Sequence, residues 1–281
     1  MRNATGRTPP SLQQAMTSEE RILDHAWPAP APGGSRRPAP PVRFSVPEGT
    51  TRIGDSAFAG CTALRSVSIP ASVTAIDLSP GDPLHALPCF PFRGCGRLAA
   101  IRVAAGNPAF ASRGGALFTK DLSALLCAPG PEKRSFRIPA RTTAIAATAF
   151  DNCAALEAFE VARGSASFSV RDGLLFSKDG RTLVRVPPAR TAPLAFGDGL
   201  DAVVAGAFRG CRLTGLSFEY YPHLLALPEE PGDFHGGCAP VPLDDLLVEL
   251  SHACHALASV TLAGARYDLS GASAQARPGG K

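Results

Sequence analysis

Apolar positions along the chain come in short alternations at regular distances. Val67-Ser68-Ile69, Ile101-Arg102-Val103, Phe136-Arg137-Ile138, Phe159-Glu160-Val161 and Leu216-Ser217-Phe218 each place a polar residue between two apolar ones. That is the period of a strand with one buried face, so short strands are expected near 67–69, 101–103, 136–138, 159–161 and 216–218. Pro47, Pro70, Pro139 and Pro187 stop such runs, because proline has no N–H to donate to a ladder. About one helical turn is expected around Ala57-Phe58 and Ala149-Phe150. The residue before the following cysteine is Gly60, Gly94, Asn152 or Gly210, types that accept a left-handed backbone and so end a helical turn.

The alternations belong to a repeat. Phe58, Phe92, Phe150 and Phe208 each stand three residues before a cysteine (Cys61, Cys95, Cys153, Cys211), and each cysteine precedes a Leu and the next strand. A fifth copy keeps Cys254, Leu257, Val260 and Leu262 but has Ser251 where the Phe belongs. Val46 to Ile69 and Ile138 to Val161 both measure 23 residues, one solenoid coil of the leucine-rich length. A longer period of 58 residues relates Phe92, Phe150 and Phe208, and also Phe118 to Phe176, Lys120 to Lys178 and Pro129 to Pro187. The extra residues of the long repeat hold Leu174–Phe176 and Thr182–Val186 on either side of Asp179-Gly180, a hairpin signal. Hairpins are expected to protrude near 116–126 and 174–186.

The order Ile-Pro-x-x-Val-x-x-Ile, then Ala-Phe-x-Gly-Cys-x-x-Leu-x-x-Val-x-Ile-Pro, resembles the BspA-like leucine-rich repeat. It does so well over roughly residues 42–218 and weakly over 250–265. The segment Gly-Leu-Leu-Phe-Ser-Lys-Asp-Gly at 173–180 is similar to the hairpin-bearing variant of that family. The resemblance implies an α/β repeat fold: a leucine-rich-repeat solenoid with short parallel strands, single helical turns and inserted β-hairpins. It also implies a surface or secreted adhesin that binds other proteins, with no shared catalytic residues. The expected organisation is a disordered Pro/Ala-rich leader over 1–41 with a short helix near Ser18–Trp27, a solenoid over 42–265, and a disordered tail over 266–281. Within the solenoid, 221–249 reads as an irregular acidic insertion, followed by a helix near Asp244–His255.

Composition narrows the functional classes. The 281 residues carry 28 basic and 24 acidic side chains, a net charge of +4, which is too mild to indicate nucleic acid. The 15 Phe against 3 Tyr and 1 Trp favour repeated packing over an aromatic ligand pocket. Residues 1–31 have charges throughout and no apolar stretch of the secretory kind, and no segment reaches membrane-spanning length. The default expectation is therefore a cytoplasmic chain, whereas the resemblance points to the surface. Four of the eight cysteines fill one slot of the repeat, where they act as small hydrophobes with parallel side chains; reduced structural cysteines are expected.

Chemistry-bearing motifs are few. There is no Gly-x-Ser-x-Gly elbow, phosphate loop or dinucleotide fingerprint, and His85 and His223 have no repeated acidic or nucleophilic neighbour, so no enzyme and no cofactor are expected. His235-x-x-Cys238 with His252-x-x-His255 has the spacing of a zinc site; a metal-binding or enzymatic module seated in 221–255 is the alternative function. The principal expectation is a protein-binding scaffold, whose strands present Ser45, Ser68, Arg102, Arg137, Glu160, Ser217 and Thr261 on one face. Among these, Arg102, Arg137 and Glu160 are the candidate recognition residues, with another protein as the partner.

Overall fold

The computed structural model describes residues 22–24, 41–77, 91–220, 222–225, 243–254 and 256–269. In chain order its strands begin with β1 (Ile22–Leu23), β2 (Arg43–Ser45), β3 (Arg52–Ile53), β4 (Ser66–Ile69), β5 (Ala75–Ile76) and β6 (Ala100–Val103). A meander follows, β7 (Phe110–Arg113), β8 (Ala116–Thr119) and β9 (Ala124–Cys127), then β10 (Ser135–Ile138), β11 (Ala144–Ile145) and β12 (Ala158–Val161). The second meander is β13 (Phe168–Arg171), β14 (Leu174–Ser177) and β15 (Thr182–Arg185). Next come β16 (Leu194–Phe196), β17 (Ala202–Val204), β18 (Leu216–Phe218), β19 (His223–Leu225), helix α1 (Leu243–Ala253), β20 (Ser259–Leu262) and β21 (Ala265–Asp268).

Each coil gives one strand to each of two faces, and neighbours on a face are parallel. The first face holds the ladders β2-β4-β6, β10-β12 and β16-β18-β20, the last closed by antiparallel β21. The second holds β1-β3-β5, then β9-β11 and β15-β17-β19 continuing from the two meanders. Parallel pairing follows from one-way coiling, and alternate side chains such as Val67, Ile69, Phe136 and Ile138 point into the core. The core between the faces is a column of phenylalanines. The rings of Phe58 and Phe92 stack at 5.2 Å, and Phe150 meets Phe136 at 5.4 Å and Phe159 at 4.9 Å. Burying one such side chain contributes roughly 1.5–3 kcal/mol, and that burial is completed by the neighbouring coil.

The expected helical turns are chains of tight turns instead. Around Phe58 the bonds run from i to i+3: Ala57 N to Gly54 O, Ala59 N to Ser56 O, and Cys61 N to Phe58 O. The segment is too short to nucleate a helix, which needs several consecutive bonds to offset the ordering cost. Gly60, Gly94 and Gly210 end these turns at φ of 72–73°. Asn152, in the same place, does not adopt positive φ; its amide is buried and donates to Phe92 O across the stack at 3.1 Å.

Two further expectations are corrected. The hairpins do not protrude: Ala116-Leu117-Phe118 and Leu174-Leu175-Phe176 are wholly buried, as three consecutive apolar residues require. Each meander becomes part of the second face and breaks the ladder of the first. In the leader, Ile22-Leu23 pair in parallel with Arg52-Ile53, so these two residues of the helix expected near Ser18–Trp27 form a strand. Within 221–249, β19 pairs with β17, and α1 buries Leu246, Leu247 and Leu250 beside Phe208 and Cys254, in place of the Phe that Ser251 lacks.

Candidate binding face

The polar middle residue of each first-face strand points away from the core, and the parallel registers set these residues in rows. Ser45, Ser68 and Arg102 are Cα partners across β2, β4 and β6; Arg137 and Glu160 across β10 and β12; Ala195, Ser217 and Thr261 across β16, β18 and β20. Arg102, Arg137 and Glu160 are all exposed. The structure brings Arg137 and Glu160 side by side and sets Arg102 in a different ladder, because β7 and β8 turn in between.

That break has its own geometry. Ile101 N donates to Gly115 O at 2.8 Å and Val103 N to Ser112 Oγ at 3.2 Å, so the meander closes the outer edge of β6. Beyond the meander lies a groove of about 580 Å³, lined on one side by Arg113, Gly114 and Phe118 and on the other by Lys133, Ser135, Phe136, Arg137 and Pro139. Lys133 Nζ crosses one end to donate to Gly114 O at 2.8 Å. The alternation of apolar and polar residues does not mark this groove; the signal that locates it is the Gly114-Gly115 pair, a two-residue turn with φ of 61° and 84°.

Of the zinc candidates, His235, Cys238 and His255 lie outside the described residues, as does His85. His252 is exposed in the last turn of α1, and His223 is exposed on β19. No group of three or more His, Cys, Asp or Glu side chains among the described residues converges on a metal position. The six described cysteines are buried and in no disulfide. Cys95 Sγ donates to Phe58 O at 3.1 Å and Cys254 Sγ to Cys211 O at 3.4 Å, so the repeated thiol ties its coil to the one before.

Residues 42–79 match a family model described as a BspA type leucine rich repeat region of six copies. Over these residues the chain is similar to BspA-type leucine-rich repeats. A search of curated proteins finds no match. Among solved structures, a leucine-rich repeat protein from Eubacterium ventriosum is 18% identical, with 65% of this chain aligned to 42% of that one at a TM-score of 0.40. The pneumococcal vaccine antigen PcpA is 18% identical over 76% of this chain and 60% of its own, at 0.39. A leucine rich cell surface protein from Faecalibacterium prausnitzii is 20% identical over 66% and 65%, at 0.32. The chain thus spans less than two thirds of the length of each. Among the described residues, no helix is long and apolar enough to cross a membrane.

Proposed function

We propose that the chain is a non-catalytic scaffold that binds another protein through its first face, in the adhesion-related manner that BspA-type repeats imply. The observation that carries this reading is the in-register presentation of exposed and half-buried middle residues from coil after coil. An extended row of equivalent positions matches a partner's surface better than it encloses a small molecule. Arg102, Arg137 and Glu160 are the charged members among small Ser, Thr and Ala, which let a partner's backbone approach while the guanidinium supplies forked hydrogen bonds.

The test is capture of a partner from the native organism, followed by affinity measurement with the purified pair. Arg102→Ala with Glu160→Ala is expected to weaken binding several-fold, mainly through faster dissociation. Unchanged affinity, with the circular dichroism spectrum intact, would remove the first face from consideration.

A further inference from the structure

A strand inside a ladder uses both of its edges. β4 does so: Ser68 O accepts from Val46 N on one side, and Ile69 O accepts from Ala104 N on the other. β10 uses one edge only. Arg134 O accepts from Ala158 N and Ile138 O from Ala162 N, so the even-numbered residues face β12 and the backbone groups of Ser135 and Arg137 face the opposite way. No described strand pairs with β10 on that side. What lies there is the groove, running along the strand from Lys133 to Pro139.

Three cations line the groove, Arg113, Lys133 and Arg137, and no carboxylate does. Its apolar residues include Phe118 and Phe136, both buried. An unpaired strand edge, an apolar floor and a rim of one charge sign are the elements of strand addition, in which main-chain bonds hold a peptide and alternate side chains select it.

The second break, 58 residues on, is an internal control. There Pro193 replaces Ser135, so the edge has lost a donor; Ala195 replaces Arg137 and Thr191 replaces Lys133. Arg171, the counterpart of Arg113, lies 4.2 Å over the Phe176 ring and donates to Gly180 O. The features that would receive a strand are concentrated at the first break.

We propose that the groove beside β10 takes an extended acidic segment of a partner protein as an added strand. The segment pairs with the backbone of Ser135 and Arg137, and its carboxylates meet Arg113, Lys133 and Arg137. This names the ligand class for the scaffold reading and rests on it only in taking the partner to be a protein.

The experiment measures fluorescence anisotropy with the full chain and a labelled peptide alternating Thr and Glu. Comparison peptides replace Glu by Lys or carry N-methyl groups on alternate amides. The acidic peptide is expected to bind, the Lys peptide not to bind, and the N-methylated peptide to bind about tenfold more weakly. Arg113→Glu with Arg137→Glu should abolish binding. Ser135→Pro, a residue the equivalent position already accommodates as Pro193, should weaken it several-fold with the fold intact. Equal binding of the N-methylated peptide, full competition by inorganic phosphate at matched charge, or no binding of the acidic peptide would each overturn strand addition. The Arg102→Ala, Glu160→Ala variant is expected to keep peptide binding. Loss of peptide binding with partner capture intact therefore sinks the groove alone, whereas peptide binding with face-independent capture sinks the first-face reading alone.

Discussion

Arg185 occupies, 58 residues on, the place that Cys127 occupies in the preceding long repeat, and both side chains are buried. The thiol fills its slot as a hydrophobe, whereas the guanidinium fills it as a hub. It donates to Ala147 O at 3.0 Å, to Arg209 O at 3.1 Å and to Gly206 O, and lies 3.7 Å from the Asp151 carboxylate, which Arg209 Nε reaches at 2.9 Å. The turns around Phe150 and Phe208 are thereby joined through one cation. Arg185→Met should lower stability by ~3–5 kcal/mol, because carbonyls and a carboxylate arranged for a charge lose it. Urea unfolding measures this; a loss below about 1 kcal/mol would show that water replaces the guanidinium.

The buried thiols set an alkaline limit on the fold. Burial, assisted by the neighbouring Cys61, pushes Cys95 up to about 12 from the ordinary 9.0; burial likewise pushes Cys153 up to about 12 and raises Cys127 well above its usual value. The unfolded chain gives up these protons near pH 9 and the folded chain keeps them, so stability is unaffected below pH 9 and falls as pH rises toward 12. Urea midpoints should decline over that window, and Cys153→Ala should flatten part of the slope. At pH 8 a thiol reagent should label these cysteines only at the rate of unfolding, and rapid labelling in native buffer would contradict the burial.

Asn107 and Ser165 are related by the same long period and begin the two meanders. Asn107 makes full use of its amide: Nδ2 donates to Pro70 O and Val73 O, both at 2.8 Å, while Oδ1 accepts from Ala109 N and Phe110 N. Ser165 Oγ accepts from Phe168 N alone among the contacts seen at this site. Asn107→Ala should therefore cost about 2–4 kcal/mol, leaving buried carbonyls without donors, and Ser165→Ala about 1 kcal/mol. Equal losses would mean that the stitch to the earlier coil contributes nothing.

These residues mark where the sequence is legible. Strand positions and the pairing of hairpin with hairpin follow from alternation and period, since every coil must bury the same stripe. The hairpin expected at Asp179-Gly180 is present, but the stronger signal is the two-residue turn at Asp172-Gly173, with φ of 50° and 77°. Gly173 is also fixed by space, because a Cβ there would lie 3.0 Å from the Cβ of Ala158. The ladder break stayed hidden for a different reason: alternation reports which way a side chain points, not which strand lies beside it. Arg102 and Arg137 look equivalent in the repeat, yet a meander separates their strands, and with it comes the groove. Arg185 was invisible because a basic residue in a strand reads as solvated until its neighbours are known.

β21 has the most direct consequence for assembly. It turns back from β20 through Ala263-Gly264, pairs with it over the whole strand from Ser259↔Asp268 to Leu262↔Ala265, and buries Tyr267 and Leu269 in the same core as Phe208. Without it, β20 would present an open edge beside the exposed apolar ends of its coil, a template for pairing with another chain. A variant ending at Ala263 should retain the remaining strands by circular dichroism but elute as oligomers whose proportion rises with protein concentration. Tyr267→Ala keeps the edge covered and removes a buried ring from the core, so it should lose stability while keeping the elution volume of the intact chain. If the truncated chain elutes as the intact one does at every concentration, the edge is protected by something other than β21.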